Sequence, residues 1–268
     1  MKPNSKILII AGSDSSGGAG IQADIKTVSA LGSYAMTAIT AITAQNTTGV
    51  NSIFPVTPNE IKKQIIFTCK DLKPDAVKIG MLQSSKVILK IIEALKEIKA
   101  KNIILDPVMV AKGGHKLLEF EAIDALKDLI SKSKPILTPN IPEAEILTGI
   151  KIKNLTDMEK AGKEIIKLGA SSVILKGGHM KTEVMTDLLI EPSKVYPIQT
   201  KKILTNHTHG TGCTMASALS AGLAKSFKIE KAFKIAHEYV NMAIKSAPQF
   251  GKGNGPINHC FNINLFEH

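Results

Sequence analysis

The sequence predicts an α/β fold, with a mostly parallel central sheet, helices on both faces and a small antiparallel hairpin at one edge. Short β-rich apolar runs alternate with helix-type apolar spacing almost to the end of the chain, and this alternation is typical of covered parallel sheets. Polar residues and glycines follow directly on the predicted strands. In such sheets, ligands bind beyond the carboxyl ends of the strands.

The elements follow one another in a regular order. Strands are predicted over residues 6–11, 35–44, 75–79, 102–106, 135–138 and 172–176, and the first of them is the apolar run Ile7–Ile10. The helices between and after them are predicted over 19–31, 59–70, 85–99, 118–132, 142–148 and 156–168. Two further strands, 184–190 and 195–199, have no helix between them and therefore predict the edge hairpin. Helices over 212–225 and 229–246 close the fold.

The helix predicted over 212–225 carries the strongest functional signal. One face of it is apolar, with the spacing i, i+3, i+4, i+7 and i+8: Met215, Ala218, Leu219, Gly222 and Leu223. Gly210 and Gly212 precede this face and leave backbone N–H groups free of side-chain bulk. Together with the helix dipole these N–H groups predict an anion site, and Cys213 lies inside it. The arrangement suits a phosphoryl group in transit.

Composition limits the class of protein. The 268 residues are 44% hydrophobic and 21% charged, which predicts a single globular domain over 1–268. The N-terminal apolar run is too short for a secretion signal, and no stretch suits a membrane span, so we expect a cytoplasmic protein with no membrane partner. Three cysteines, at 69, 213 and 260, form no disulfide framework and no zinc spacing.

The net charge of +11 does not predict a nucleic-acid partner. All basic residues are lysines spread along the chain, and there is no arginine or tryptophan. Base readout and stacking favour arginine and aromatic side chains. Attraction of anionic metabolites, or biased residue usage, explains the charge equally well.

The glycine-rich loop at residues 12–20 formally contains a dinucleotide-binding fingerprint at Gly18, Gly20 and Ala23. That fingerprint needs an acidic residue about 20 positions further on to hold a ribose. No acidic residue lies between Asp24 and Glu60, and the chain has no phosphate-binding P-loop motif. A loop that contacts a small substrate and a merely structural turn both remain open.

Hard oxygen ligands follow two of the strands. Asp106 ends one strand, and Asn140 and Glu143 follow the next. Each could be a turn or helix-cap residue, but together they suit Mg²⁺ held partly through water. Lys176, before two glycines, adds a positive charge for phosphates. With the anion site, this set predicts phosphoryl transfer without a P-loop.

Seven segments, in family order, resemble the bacterial hydroxymethylpyrimidine/phosphomethylpyrimidine kinases of thiamin biosynthesis, which have the ribokinase-like fold. They are AGSDSSGGAGIQAD at 11–24, TAQNT at 43–47, KIGML at 78–82, LDPVM at 105–109, TPNIPE at 138–143, KGGH at 176–179 and THGTGCT at 208–214. The resemblance runs from about residue 6 to about residue 257. It implies a kinase that uses ATP and Mg²⁺, phosphorylates the hydroxymethylpyrimidine and then its monophosphate, and forms a homodimer through edge strands.

The resemblance also implies roles for matching residues. Those expected at the pyrimidine are Gly12, Asp24, Gln45, Met81 and Val108. Those expected at the transferred phosphoryl group and the rest of ATP are Gly210, Thr211, Gly212, Lys176 and Asn140. Those expected at the metal are Asp106, Asn140 and Glu143. The Gln45 carboxamide complements the donor and acceptor of an aminopyrimidine edge.

Cys213 stands where sugar kinases of this fold carry the aspartate that takes the substrate's proton. A helix N-terminus can lower a thiol pKa, so Cys213 is expected to act as base for the first phosphorylation. In the second step the nucleophile is an already ionised phosphate, which needs no base. A small residue that only shapes the anion site is the other interpretation.

Three other functions are compatible with parts of this sequence. Some pyridoxal or pyridoxine kinases resemble the same subfamily, including the cysteine, and are the nearest alternative. A dinucleotide-dependent oxidoreductase is disfavoured because the ribose-binding acid is missing. A non-catalytic ligand-binding protein would have no need of Asp106, Lys176 and Cys213 together.

Overall fold

The computed structural model of the protein describes residues 2–110, 114–180 and 182–263. The strands are β1 (Lys6–Asp14), β2 (Tyr34–Asn46), β3 (Gly49–Pro55), β4 (Ala76–Ile79), β5 (Ile103–Leu105), β6 (Ile136–Leu137), β7 (Ser172–Leu175), β8 (Val184–Ile190) and β9 (Val195–Lys201). The α-helices are α1 (Gly20–Ala30), α2 (Pro58–Asp71), α3 (Ser85–Glu97), α4 (Ile123–Ser133), α5 (Ile141–Thr148), α6 (Leu155–Lys167), α7 (Thr211–Ala224) and α8 (Ile229–Lys245).

All of these strands form one sheet in the order β3-β2-β1-β4-β5-β6-β7-β8-β9. Within this order, the six strands β2, β1, β4, β5, β6 and β7 are parallel to one another. β8 and β9 form the antiparallel hairpin at one edge. The predicted fold, a mostly parallel sheet with an antiparallel edge hairpin, is confirmed.

Both faces of the sheet are covered because its central strands are apolar on both sides. In β1, Leu8 and Ile10 point to one core cluster and Ile7 and Ile9 to the other, and all four are fully buried. Helices α2 to α6 supply the first cluster, whereas α1, α7 and α8 supply the second. Continuous apolar runs in short strands are the expected pattern for a sheet buried on both faces.

The sequence analysis missed β3 and predicted one helix too long. β3 is short and largely exposed, and it pairs antiparallel with β2 at the other edge of the sheet. Its exposed apolar residue Phe54 lies opposite Ile42 of β2. Helix α4 starts at Ile123, after a 3₁₀ turn at Phe120–Ala122, instead of at 118.

The order of the strands reverses beside β1, and this reversal places the site. β1 lies between β2, which follows it in the chain, and β4, to which the chain crosses afterwards. Ligands in open α/β sheets bind at such a switch point, outside the carboxyl ends of the strands. None of the helices within the described ranges is long and apolar enough to cross a lipid bilayer.

Candidate active site

The first turn of α7 closes onto the N-terminal glycine loop. Gly210, its N-cap, has a φ of 89°, and a Cβ there would overlap the carbonyl oxygen of Gly18. Only glycine fits this left-handed and crowded position without strain. Thr211 begins the helix, and the N–H groups of Gly212 and Cys213 donate to no acceptor among the described residues. The helix start is therefore ready to bind an anion.

Lys176 and Asp106 face this helix start from the sheet. Lys176 Nζ lies 2.9 Å from Asp106 Oδ1, which also accepts a hydrogen bond of 3.0 Å from Thr138 Oγ1. A Cβ at Gly212 would lie 3.4 Å from Lys176 Nζ and 3.5 Å from Asp106 Oδ2. Burial opposes the charge of Lys176, but Asp106 and Glu143 outweigh it and raise the pKa of the ammonium group. A fixed cation thus borders the anion site.

Asn140 and Glu143 form a capping box at the start of α5, the cap role that the sequence left open. Asn140 Oδ1 accepts from the N–H of Glu143 at 2.9 Å, and Glu143 Oε2 accepts from the N–H of Asn140 at 2.8 Å. Burial raises the pKa of Glu143 to about 7, with Asp106 adding to the rise and Lys176 opposing it. The charges of Asp106 and Glu143 therefore act on each other, and their metal role stays a prediction.

Cys213 is part-buried, and its environment does not favour a thiolate. Burial raises the pKa of Cys213 to about 12, and the carboxylates of Asp24 and Asp106 raise it further, whereas Lys78 lowers it. The expectation of a lowered pKa at this helix N-terminus is thus wrong, because burial raises the pKa more than the charge of Lys78 lowers it.

Several expected pyrimidine contacts lie at the carboxyl ends of adjacent strands. A Cβ at Gly12, in β1, would lie 2.9 Å from Sδ of Met81, which follows β4. Gln45, in β2, contacts Thr43 and His209 through its amide, at 3.3 and 3.4 Å. Val108 is part-exposed and follows Asp106 by two residues. Their contact with a substrate stays a prediction.

The structure corrects the role expected of Asp24. Its side chain is fully buried, with Oδ2 2.7 Å from Lys78 Nζ and Oδ1 accepting a hydrogen bond of 2.7 Å from Ser217. The carboxylate has no exposed surface to offer to a pyrimidine. Asp24 anchors α1 to β4 and α7 beneath the site, and we leave it out of the proposed pocket.

Two residues of the site, Lys78 and His209, were assigned no role from the sequence. Lys78 belongs to the KIGML segment, and a lysine in a buried strand was the signal that it needs an internal partner. His209 precedes Gly210, and its Nε2 lies 2.7 Å from Asp14 Oδ2. This contact ties the α7 helix start to the N-terminal loop.

Comparisons with known proteins agree with this geometry. The family model described as "Phosphomethylpyrimidine kinase" matches residues 14–258. The hydroxymethylpyrimidine/phosphomethylpyrimidine kinase of Bacillus subtilis is 48% identical over 255 residues, which cover 95% of this chain and 94% of that protein.

Solved structures show the same fold. The phosphomethylpyrimidine kinase of Clostridium difficile is 45% identical, with a TM-score of 0.80 over 90% of this chain and all of that one. A pyridoxal kinase of Bacillus subtilis, solved with ADP, is 37% identical, with a TM-score of 0.89 over 97% of this chain and 99% of that one. The matched family model and these relatives together cover nearly the whole chain, which therefore belongs to the phosphomethylpyrimidine kinase family.

Proposed function

We propose that this chain is an ATP-dependent kinase that phosphorylates 4-amino-5-hydroxymethyl-2-methylpyrimidine and then its monophosphate, for thiamin biosynthesis. One observation carries the proposal: the free N–H groups at the start of α7 face Lys176 and Asp106 across Gly212. This arrangement gathers donors and a cation around one point, which is what a phosphoryl group in transfer requires.

The transferred phosphoryl group of ATP would lie at the helix start formed by Gly210, Thr211 and Gly212, beside the N–H groups of Gly212 and Cys213, which have no acceptor among the described residues. Lys176 would neutralise negative charge on its oxygens. The helix dipole adds to this effect because α7 points its positive end at the group. All of these donors are backbone groups or are held by an ion pair, so little reorganisation is needed during the reaction.

Asp106 and Glu143 fit a Mg²⁺ ion that accompanies ATP. Asp106 Oδ2 faces Gly212 and makes no hydrogen bond within the described residues, and Glu143 is a buried carboxyl group whose charge a cation would stabilise. Asn140 would act through water, since its Oδ1 already accepts from Glu143. Magnesium in phosphate sites keeps several waters and takes one or two protein carboxylates. When bound, it would neutralise charge on the phosphate oxygens.

Gly12, Gln45, Met81 and Val108 would hold the pyrimidine ring. In the first step the hydroxymethyl oxygen bonds to the γ-phosphorus, the bond from that phosphorus to ADP breaks, and the hydroxyl proton passes to the thiolate form of Cys213, which becomes the thiol. In the second step an ionised phosphate oxygen attacks, and no proton is removed. Because the pKa of the Cys213 thiol is raised to about 12, only a small fraction of the protein carries this thiolate at neutral pH, and the fraction grows as pH rises.

A coupled assay of ADP release tests the proposal. With Mg-ATP, we expect turnover of hydroxymethylpyrimidine and of its monophosphate, with pyridoxal much poorer. Turnover of pyridoxal alone would keep the phosphoryl chemistry and overturn the substrate. ADP release that does not depend on any added acceptor would contradict the kinase assignment.

Pyridoxal kinase is the second candidate, because solved pyridoxal kinases share this fold. The Bacillus subtilis pyridoxal kinase superimposes with the higher TM-score, 0.89 against 0.80, although its sequence identity is lower. Overall fold does not discriminate between the two substrates, because function resides in the site. The same assay separates the two candidates.

We further propose a homodimer through the β2–β3 edge. Ile42 and Phe54 pair across these strands and expose 51% and 70% of their surface. Unpaired apolar edges of this kind are usually covered in a folded assembly. Light scattering should give twice the chain mass, and Phe54→Lys should give the monomer mass; a monomeric parent protein would contradict the proposal.

A further inference from the structure

Asp14 is a fixed acceptor at the carboxyl end of β1. Its Oδ1 accepts from the N–H and the hydroxyl of Ser16, at 2.9 and 2.7 Å, and its Oδ2 accepts from the N–H of Ala19 at 2.8 Å. Burial disfavours the charge, but the hydrogen bonds from His209 and Ser16 outweigh it and lower the pKa of Asp14 to about 2. Asp14 is therefore ionised at neutral pH and can only accept hydrogen bonds.

The charge of Asp14 decides the tautomer of His209. Nε2 of His209 lies 2.7 Å from Asp14 Oδ2, a short distance that requires a proton between them. Because an ionised carboxylate supplies none, the proton is on Nε2. His209 is therefore a donor at this nitrogen, and any other group beside it has to be an acceptor.

The second group beside Nε2 is the amide of Gln45. Its amino nitrogen lies 3.4 Å from His209 Nε2, which places two donors together. The carbonyl oxygen of the Gln45 amide lies 3.3 Å from Thr43 Oγ1. The one proton of this hydroxyl is directed to the carbonyl oxygen of Ser13, at 2.9 Å. The Gln45 oxygen and the Thr43 oxygen therefore meet as two acceptors. Turning the amide by 180° exchanges nitrogen and oxygen without moving another atom. The amide nitrogen then donates to Thr43 Oγ1, and the amide oxygen faces the N–H that His209 donates to Asp14, so no two donors meet.

We propose that Asp14 and His209 are positioning residues that hold the Gln45 amide in this turned orientation, with its oxygen toward His209 and its nitrogen toward Thr43. One N–H and one lone pair of the amide then remain free, in a fixed order. The inference rests on the proposed function, in which Gln45 reads the edge of the pyrimidine.

A fixed amide selects between two kinds of pyrimidine edge. A 4-aminopyrimidine presents a donor at its amino group and an acceptor at the adjacent ring nitrogen. The 4-oxo analogue presents the reverse order, an acceptor oxygen beside a ring N–H. An amide held in one orientation pairs with only one of these edges, whereas an amide free to turn pairs with both.

The test compares kcat/KM for the 4-amino substrate and its 4-oxo analogue in the parent enzyme, His209→Leu and His209→Gln. We expect the parent to prefer the amino form by at least about 100-fold. His209→Leu should reduce the preference to below about 10-fold, mainly through a higher KM for the amino form. His209→Gln keeps an N–H near the position of Nε2 and should retain the preference. The ratio of the two kcat/KM values is the readout, because a general loss of activity leaves this ratio unchanged.

The outcomes separate the inference from the proposed function. If the parent enzyme phosphorylates neither pyrimidine, the proposed function fails. If the parent prefers the amino form but His209→Leu lowers both kcat/KM values by the same factor, the residue is merely structural and the inference fails. One measurement uses the parent protein and so does not depend on whether the variants fold. Nitrogen-15 NMR should show that Nε2 of His209 carries a proton at neutral pH. An Nε2 without a proton would overturn the proposal.

Discussion

Replacing Lys78 by methionine tests the interpretation that Asp24 supports the fold beneath the site. Both side chains are fully buried, and their charged atoms lie 2.7 Å apart. Lys78→Met leaves the Asp24 carboxylate in a dry environment, where the Ser217 hydroxyl is its one remaining side-chain partner among the described residues. Breaking a buried ion pair on one side costs about 3–5 kcal/mol of unfolding free energy, because the remaining charge is uncompensated.

Urea unfolding followed by circular dichroism measures this loss. For a chain of this size, about 3–5 kcal/mol corresponds to a fall in Tm of about 6–20 °C. The matched control is the double variant Lys78→Met with Asp24→Leu, which removes both charges and keeps similar volumes. It should recover at least about 2 kcal/mol relative to Lys78→Met alone.

Two results would refute this reasoning. A loss below about 1 kcal/mol in Lys78→Met would mean that the buried charge is compensated by another group. Strict additivity of the two single variants would mean that Lys78 and Asp24 do not interact. If Asp24→Asn raised the KM for the pyrimidine without lowering the free energy of unfolding, Asp24 would contact the substrate after all.

Three further predictions concern the site. Cys213→Ala should slow the first phosphorylation by about 100-fold or more and the second by less than about threefold. In the parent enzyme the rate of the first step should still rise with pH at pH 9, because the thiol pKa is about 12. Glu143 binds its proton more tightly in the folded state, so stability should fall by about 3 kcal/mol as pH rises from about 4.5 to about 7, and urea unfolding of Glu143→Gln should show a smaller fall. Gly212→Ala puts a methyl group 3.4 Å from Lys176 Nζ and should lower kcat/KM for ATP by about 100-fold.

Each of these predictions has a contrary outcome. Equal losses in both phosphorylation steps would mean that Cys213 is not a base. If the stability of Glu143→Gln depended on pH as that of the parent does, a group other than Glu143 would cause the pH dependence. For Gly212→Ala the matched control is Gly49→Ala, because a Cβ at Gly49 meets nothing within 4 Å. Equal activity of the two glycine variants would mean that the phosphoryl group does not lie beside Gly212.

The parallel core of the fold could be predicted because its signals are local. The run Ile7–Ile10 is buried on both faces, and every predicted strand has a counterpart in the sheet. β3 could not be predicted in the same way, since an exposed edge strand with no regular apolar alternation is defined by its pairing with β2. The residues at which the strands end were also hard to predict, because they depend on how far each strand pairs with its neighbours.

The candidate site could be predicted as a set of positions but not as a set of contacts. Topology alone brings the carboxyl ends of parallel strands to one edge, so Gly12, Asp106 and Lys176 were expected together. Which side chains pair depends on packing between distant segments: Lys78 meets Asp24 across 54 residues, and His209 meets Asp14 across 195. No spacing rule could assign those partners.

The thiol of Cys213 shows how magnitudes decide between two local arguments. A helix N-terminus stabilises an anion by about 0.3–1 kcal/mol, and by about 2 kcal/mol at most in partly buried sites. The change in the pKa of Cys213 from 9.0 to about 12 corresponds to about 4 kcal/mol against the thiolate, so burial and the carboxylates of Asp24 and Asp106 prevail. In the same cluster Lys78 and Lys176 are each neutralised by an aspartate. A site balanced in this way does not hold a preformed anion of its own, and its free donors at the start of α7 remain available for the charge that the phosphoryl group brings.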